Sequence, residues 1–164
     1  MKPIEVIELK KTHLARLANQ QGAAGESILL EEMENWIPRP RGNGLKVLLE
    51  TLKNLGINIR GSSFDAIALP QNQEIDFDNS EIVKKVASYM VFIEIKTANQ
   101  KRVKDDFSGF FFALTESEIS ASEQLGNRHK VALYNKRTGN ILMTSIPEII
   151  EKAKSTNWQV SVQL

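Results

Sequence analysis

Apolar and polar positions alternate most clearly in Val91-Phe92-Ile93-Glu94-Ile95-Lys96, and this alternation predicts a strand. On a strand, Val91, Ile93 and Ile95 face one way and Phe92, Glu94 and Lys96 the other. An otherwise apolar strand thus carries a carboxylate and an ammonium on one face, two residues apart. Charges in such a setting are paired or bind an ion. A second short strand, Phe64 to Leu69, begins with Asp65. If the two pair antiparallel, residue 65 falls opposite about residue 95 and meets Glu94 and Lys96.

The first third of the chain reads as helical. Pro3 opens a helix with apolar positions Ile7, Leu14, Leu17 and Ala18, ending near Gly22. A second helix runs from about Ala23 to Trp36, with Ile28, Leu29, Met33 and Trp36 as its stripe. Pro38 to Gly44 breaks the pattern. Leu45, Leu48, Leu49, Leu52 and Leu55 then follow helical spacing up to Gly56. Ile57-Asn58-Ile59 reads as a short strand, and Ser80 to Ser88 as a small helix. Thr115 and Glu118 form a capping box that opens a helix ending at Gly126. Val131 to Tyr134 and Ile141 to Met143 read as a hairpin around a turn at 135–140. Ser145 and Glu148 begin a short helix, and Trp158, Val160, Val162 and Leu164 alternate in a last strand.

Composition narrows the chemistry. The chain has 164 residues, enough for one domain with a substantial core. Its 21 Lys and Arg balance 20 Asp and Glu, so any basic surface is local. Cysteine is absent, which excludes disulfides and thiolate zinc sites, and with only His13 and His129 a histidine-rich metal site is excluded too. No apolar run reaches membrane-spanning length, and the N-terminus is charged. The expectation is a soluble cytoplasmic protein.

The Asp65 strand followed by Glu94-Ile95-Lys96 resembles the PD-(D/E)xK (restriction-endonuclease-like) nuclease superfamily. Phe64 stands where that superfamily often has Pro, and the 28 residues between Asp65 and Glu94 form a longer connection than usual. The stretch from Ile93-Glu94-Ile95-Lys96-Thr97-Ala98-Asn99, through the phenylalanines and the Thr115-capped helix, to Val131–Asn135 is similar to Mrr-like and NO VEIN C-terminal-type domains. The resemblance spans about residues 44–145. It implies a core that runs helix, three-stranded meander, helix, strand. It also implies a catalytic triplet of Asp65, Glu94 and Lys96, with Asp65 and Glu94 holding Mg²⁺ or Mn²⁺ and the Ile95 carbonyl as a further ligand. Lys96 would orient or help deprotonate the attacking water and stabilise developing charge.

Other residues carry two readings each. Glu26 follows Gly22-Ala23-Ala24-Gly25 and reads as an accessory acid, or as a first-turn glutamate favoured by the helix dipole. Lys101, Arg102 and Lys104, just past the active strand, and Arg39 and Arg41 read as phosphate contacts or as solvated loops, with Asp105 and Asp106 cancelling part of the first group. Phe107 and Phe110–Phe112 read as core rather than base-stacking groups. Asp76 and Asp78 read as metal ligands or as a hydrophilic loop pair, and Glu50 and His129 read as surface residues.

The expected fold is α/β, a restriction-endonuclease-like core with a central mixed sheet flanked by helices and a helical N-terminal segment. It forms one domain over 1–164: a helical extension at 1–40, the nuclease-like core at 44–145 and a terminal helix and strand at 146–164. The expected function is a Mg-dependent DNA endonuclease, such as a small prokaryotic restriction or repair nuclease. It would act on DNA as a homodimer joined through the helical first third, with no membrane partner. The alternative is a non-catalytic nucleic-acid-binding or regulatory protein on the same fold.

Overall fold

A computed structural model describes residues 25–26, 29–157, 159–160 and 162–164. It is a mixed α/β structure whose five-stranded sheet has helices against its faces. The strands are β1 (Trp36–Pro38), β2 (Ala66–Ala68), β3 (Val91–Ala98), β4 (His129–Asn135) and β5 (Ile141–Thr144), in that spatial order. β1, β2 and β3 pair antiparallel in chain order with a helix between each, so the first strand precedes the helix expected to open the core and lies outside residues 44–145; β4 lies parallel to β3, and β5 returns antiparallel to β4. The helices are α1 (Gly42–Asn54), α2 (Ser80–Val86), α3 (Glu116–Leu125) and α4 (Ile146–Lys152). The parallel β3–β4 pair is joined by a long crossover that contains α3, as parallel strands require.

The alternation along β3 divides the core. Ile93 and Ile95 pack with Leu29, Trp36, Ala132 and Tyr134, so residues 29–32, which are helical, cover that face. Phe92 packs on the other face with Leu48 and Leu52 of α1, Val83 of α2, Leu125 of α3, Ile67 of β2 and Phe64 in the turn before it. Gly25 lies against β3 on the first face, where an added Cβ would overlap the Thr97 side chain. A glycine there lets the helical segment approach the strand closely.

Several predicted elements differ. Trp36 ends no helix; it starts β1, a three-residue strand within the stretch read as a helical extension. Helical spacing absorbed it because Pro38 follows at once, and proline suits only the edge of a sheet. Ile57-Asn58-Ile59 forms no strand. The Asn58 N–H donates to Gln124 Oε1 at 2.6 Å and its carbonyl accepts from Gln124 Nε2 at 2.8 Å, so a side chain on α3 takes the place of a partner strand. Leu55 caps α1 and is exposed rather than in its apolar stripe. Residues 159–160 and 162–164 are not in a strand, and Val160, Val162 and Leu164 are exposed. The helix predicted from Pro3 to Gly22, much of the first third where the dimer contact is expected, and the positions of Ile28 and Trp158 lie outside the described residues. The hairpin, the Ser80 helix and both capping positions appear as predicted. At the second cap, however, Glu148 Oε2 accepts from Thr144 Oγ1 rather than from the cap N–H.

Candidate active site

Asp65 stands at the start of β2 because the strand irregularity there turns it inward. Ala66 is the register partner of Ile93, yet the Asp65 N–H also donates to the Ile93 carbonyl at 2.8 Å. Asp65, just before β2, and Ala66 thus both face one residue of β3, the arrangement of a β-bulge, which re-aims side chains. The Asp65 carboxylate Oδ2 accepts from the Ile95 N–H at 2.8 Å. The register therefore sets Asp65 nearer Glu94 than the residue-95 alignment expected from the sequence.

Glu94 and Lys96 share the α3-facing side of β3. Glu94 is only 6% exposed. Its Oε1 lies 3.1 Å from Lys96 Nζ, while Oε2 is buried and faces no hydrogen-bond donor among the described residues. Burial, then the nearby Asp65 charge, pushes the Glu94 carboxyl up to about 9. Burial also raises Asp65, held back by the Ile95 N–H, Arg39 and Lys96. Two carboxyls this close do not both ionise readily in a low-dielectric site. A protonated Glu94 can donate to Asp65; with both ionised, the pair calls for a cation.

Lys96 is held from two sides. Besides Glu94, its Nζ donates to Glu118 Oε1 at 2.8 Å. Burial alone would lower the Lys96 pKa, but Glu94 and Glu118 outweigh it and raise it above the ordinary value. Lys96 is therefore a fixed cation.

Glu118 was legible in the sequence only as the closing residue of a capping box. Its Oε2 does accept from the Thr115 N–H at 2.8 Å, and Thr115 Oγ1 accepts from the Glu118 N–H at 3.2 Å. Its other oxygen holds Lys96, and the residue is 3% exposed. One carboxylate thus caps α3 and anchors the ammonium of β3. Nothing in the local pattern announces the second role, since residues 96 and 118 meet only through the β3–α3–β4 crossover.

Glu26 joins the cluster from the helical segment beyond Gly25. Burial, then the Asp65 charge, raises it to about 7, against the pull of Arg39 and Lys96. Arg39 lies beside these acids but is occupied: Nη1 donates to the Gly61 carbonyl at 2.6 Å and the Phe64 carbonyl at 2.9 Å. It braces the turn that leads into Asp65. His129, expected at the surface, is fully buried; its Nε2 meets the Ser63 carbonyl at 3.0 Å in the same turn. Arg41, Lys101, Arg102 and Lys104 are exposed and take no part in the cluster. Glu50, Asp76 and Asp78 are solvated, although Asp78 accepts from Asn43.

The donor set suits an oxygen-seeking divalent ion. Among the described residues no three Asp, Glu or His side chains converge as a ready-made metal cage. Mg²⁺ is ordinarily held by one or two carboxylates, completed by waters and substrate phosphate. Asp65 and Glu94 supply such a pair, and the buried Glu94 Oε2 without a donor is the atom a cation would satisfy. In comparison with known proteins, no family model, no curated protein and no solved structure matches the chain.

Proposed function

We propose that the chain is a divalent-metal-dependent DNA endonuclease that hydrolyses phosphodiester bonds at Asp65, Glu94 and Lys96, on a restriction-endonuclease-like core. The observation that carries this reading is the buried Glu94 carboxyl beside Asp65, with one oxygen on Lys96 and the other facing no donor. The strand arrangement supports it: β1, β2 and β3 pair antiparallel in chain order, with α1 and α2 between them, and α3 then leads to a strand parallel to β3.

Asp65 and Glu94 are the residues that would hold Mg²⁺ or Mn²⁺, which neutralises phosphate charge and makes bound water a better nucleophile. The chain's own residues do the rest. Lys96, kept cationic by two glutamates, is a poor proton acceptor; its part is to stabilise negative charge developing on the phosphate. Glu118 fixes the direction of that ammonium. Glu26, with a pKa near neutrality, is suited to exchange a proton with the attacking water. Arg39 and His129 hold the turn that presents Asp65.

A second reading, a non-catalytic nucleic-acid-binding or regulatory protein, is favoured by one observation: Lys96 is already satisfied by Glu94 and Glu118. Incubation with plasmid DNA and Mg²⁺ or Mn²⁺, with and without EDTA, separates the two. The nuclease reading expects cleavage that needs the ion and is lost in Glu94→Gln. DNA binding without any cleavage selects the second reading.

A further inference from the structure

The segment between β3 and α3 carries a ring that the core does not use. Val103 and Phe107 are buried with Val131, Leu133 and Ile146, and Phe110 and Phe112 pack against the same cluster with ring centroids 4.8 Å apart. Phe111, between them, points outward and is 70% exposed. A single exposed apolar side chain is ordinary. Three features set this one apart.

The first is rigidity. The loop closes on itself: the Lys104 N–H donates to Ser108 O at 3.0 Å, Phe107 N–H to Lys104 O at 2.9 Å and Phe110 N–H to Phe107 O at 3.1 Å. Phe107 is held at φ 64°, a conformation that is rare for an aromatic residue. The second is charge. Lys101, Arg102 and Lys104 are exposed on this loop and form no ion pair among the described residues. Two acids share the loop, Asp106, which accepts from the Ser108 N–H at 2.9 Å, and Asp105, which accepts from Asn140 Nδ2 at 3.3 Å, so three cations stand against two anions and the loop keeps a net positive charge. The third is position. The segment leaves β3 two residues after Lys96 and ends at Thr115, whose N–H is held by the same Glu118 that holds Lys96. Phe111 is four residues from Thr115, so their Cα atoms are at most about 14 Å apart. Thr115 is tied in turn to the ammonium through the two oxygens of Glu118.

We infer that Phe111 and the Lys101-Arg102-Lys104 cluster form a binding site for an unpaired stretch of nucleic-acid strand. The ring stacks on a base and the cations run along the phosphates. A base inside a duplex offers no free face to such a ring, so the substrate is single-stranded, frayed or branched at this point. The inference deepens the proposed nuclease reading and rests on it for its meaning, but its test needs no cleavage.

The test is fluorescence anisotropy in EDTA with labelled (dT)20, (rU)20 and a 20-base-pair duplex, on wild type, Phe111→Ala, Phe111→Tyr and a Lys101/Arg102/Lys104→Ala triple variant. Wild type should bind the single strands more tightly than the duplex. Phe111→Ala should weaken single-strand binding about tenfold and leave duplex binding unchanged, and Phe111→Tyr should retain it. The triple variant should weaken binding to all three probes and flatten the dependence on salt. Equal single-strand affinity in wild type and Phe111→Ala overturns the inference, as does an equal loss on the duplex. So does a change only in self-association, which would make the ring a contact between copies. Phe111-dependent strand binding without metal-dependent cleavage leaves the inference standing and removes the nuclease reading.

Discussion

Glu118→Gln isolates the second role of a capping residue. The amide keeps an oxygen to accept from the Thr115 N–H, so the α3 cap survives. It loses the charge that meets Lys96 Nζ at 2.8 Å. An exposed pair would be worth ~0–1 kcal/mol. Here the Glu118 and Lys96 side chains are only 4% and 15% exposed, so the pair is well shielded. Breaking a buried pair costs about 3–5 kcal/mol when the remaining charge has no partner. Lys96 keeps Glu94 at 3.1 Å, which reduces that cost. The expected loss is about 1–3 kcal/mol, typical of a hydrogen bond to a charged group. For a chain of this size that lowers Tm by roughly 3–10 °C. A double-mutant cycle of Glu118→Gln with Lys96→Met, read by urea unfolding, should give a coupling energy of about 1–3 kcal/mol. Thr115→Ala should cost about 1 kcal/mol through the cap and couple weakly to Lys96→Met. If the Glu118–Lys96 cycle is additive to within about 0.5 kcal/mol, Glu118 caps the helix and does nothing for Lys96.

Three further outcomes follow from the cluster. Asp65→Asn should abolish Mn²⁺ binding in calorimetry yet keep or raise stability, since its amide oxygen can still accept from the Ile95 N–H; Asp65→Ala should also lose about 1–3 kcal/mol by orphaning that N–H. Burial and the Asp65 charge raise the folded pKa of Glu94 to about 9 and of Glu26 to about 7, so the native state holds these protons more tightly than the unfolded chain. Stability from both is complete below their unfolded values and is lost as pH rises through 7 to 9. Burial lowers the His129 pKa and acts with the opposite sign on the acidic side of that window. Without divalent ions Tm should therefore fall from pH 7 to 9, less steeply in Glu94→Gln, and a flat wild-type profile would count against the shared proton. Gly25→Ala should cost about 1–3 kcal/mol by forcing the helical segment off Thr97, with a smaller loss in a Thr97→Ala background. An unperturbed melt would show that the segment does not seat there.

The alternation in Val91–Lys96 already fixes which face carries Glu94 and Lys96, because a strand has no other way to arrange them. The hydrophobic spacing from Leu45 to Leu52, the Thr115 cap and the 131–143 hairpin are equally local signals, and each forms. What the sequence hides is set by partners distant along the chain. β1 is three residues whose only claim to be a strand is its pairing with β2. Asn58 is satisfied by Gln124, 66 residues away. Arg39 reads as a phosphate ligand because its charge is visible and its two carbonyl partners are not. The exposure of Phe111 is hidden for the opposite reason: its neighbours Phe110 and Phe112 are core, and composition does not separate the three. Glu118 shows how far a correct local reading reaches. The capping box is real, and the site role becomes visible only when α3 is laid across β3.

The central claim, that this cluster performs chemistry, is tested most directly at Lys96. Lys96→Met keeps most of the side chain's length and removes its charge. Single-turnover cleavage of DNA in Mg²⁺ or Mn²⁺ is measured beside DNA binding, metal binding and a melting curve. Cleavage should fall on the order of 10²-fold or more while DNA and metal still bind and the protein remains folded at the assay temperature. Cleavage at the wild-type rate in folded Lys96→Met protein would contradict the account, reducing Lys96 to a charge that balances Glu94 and Glu118.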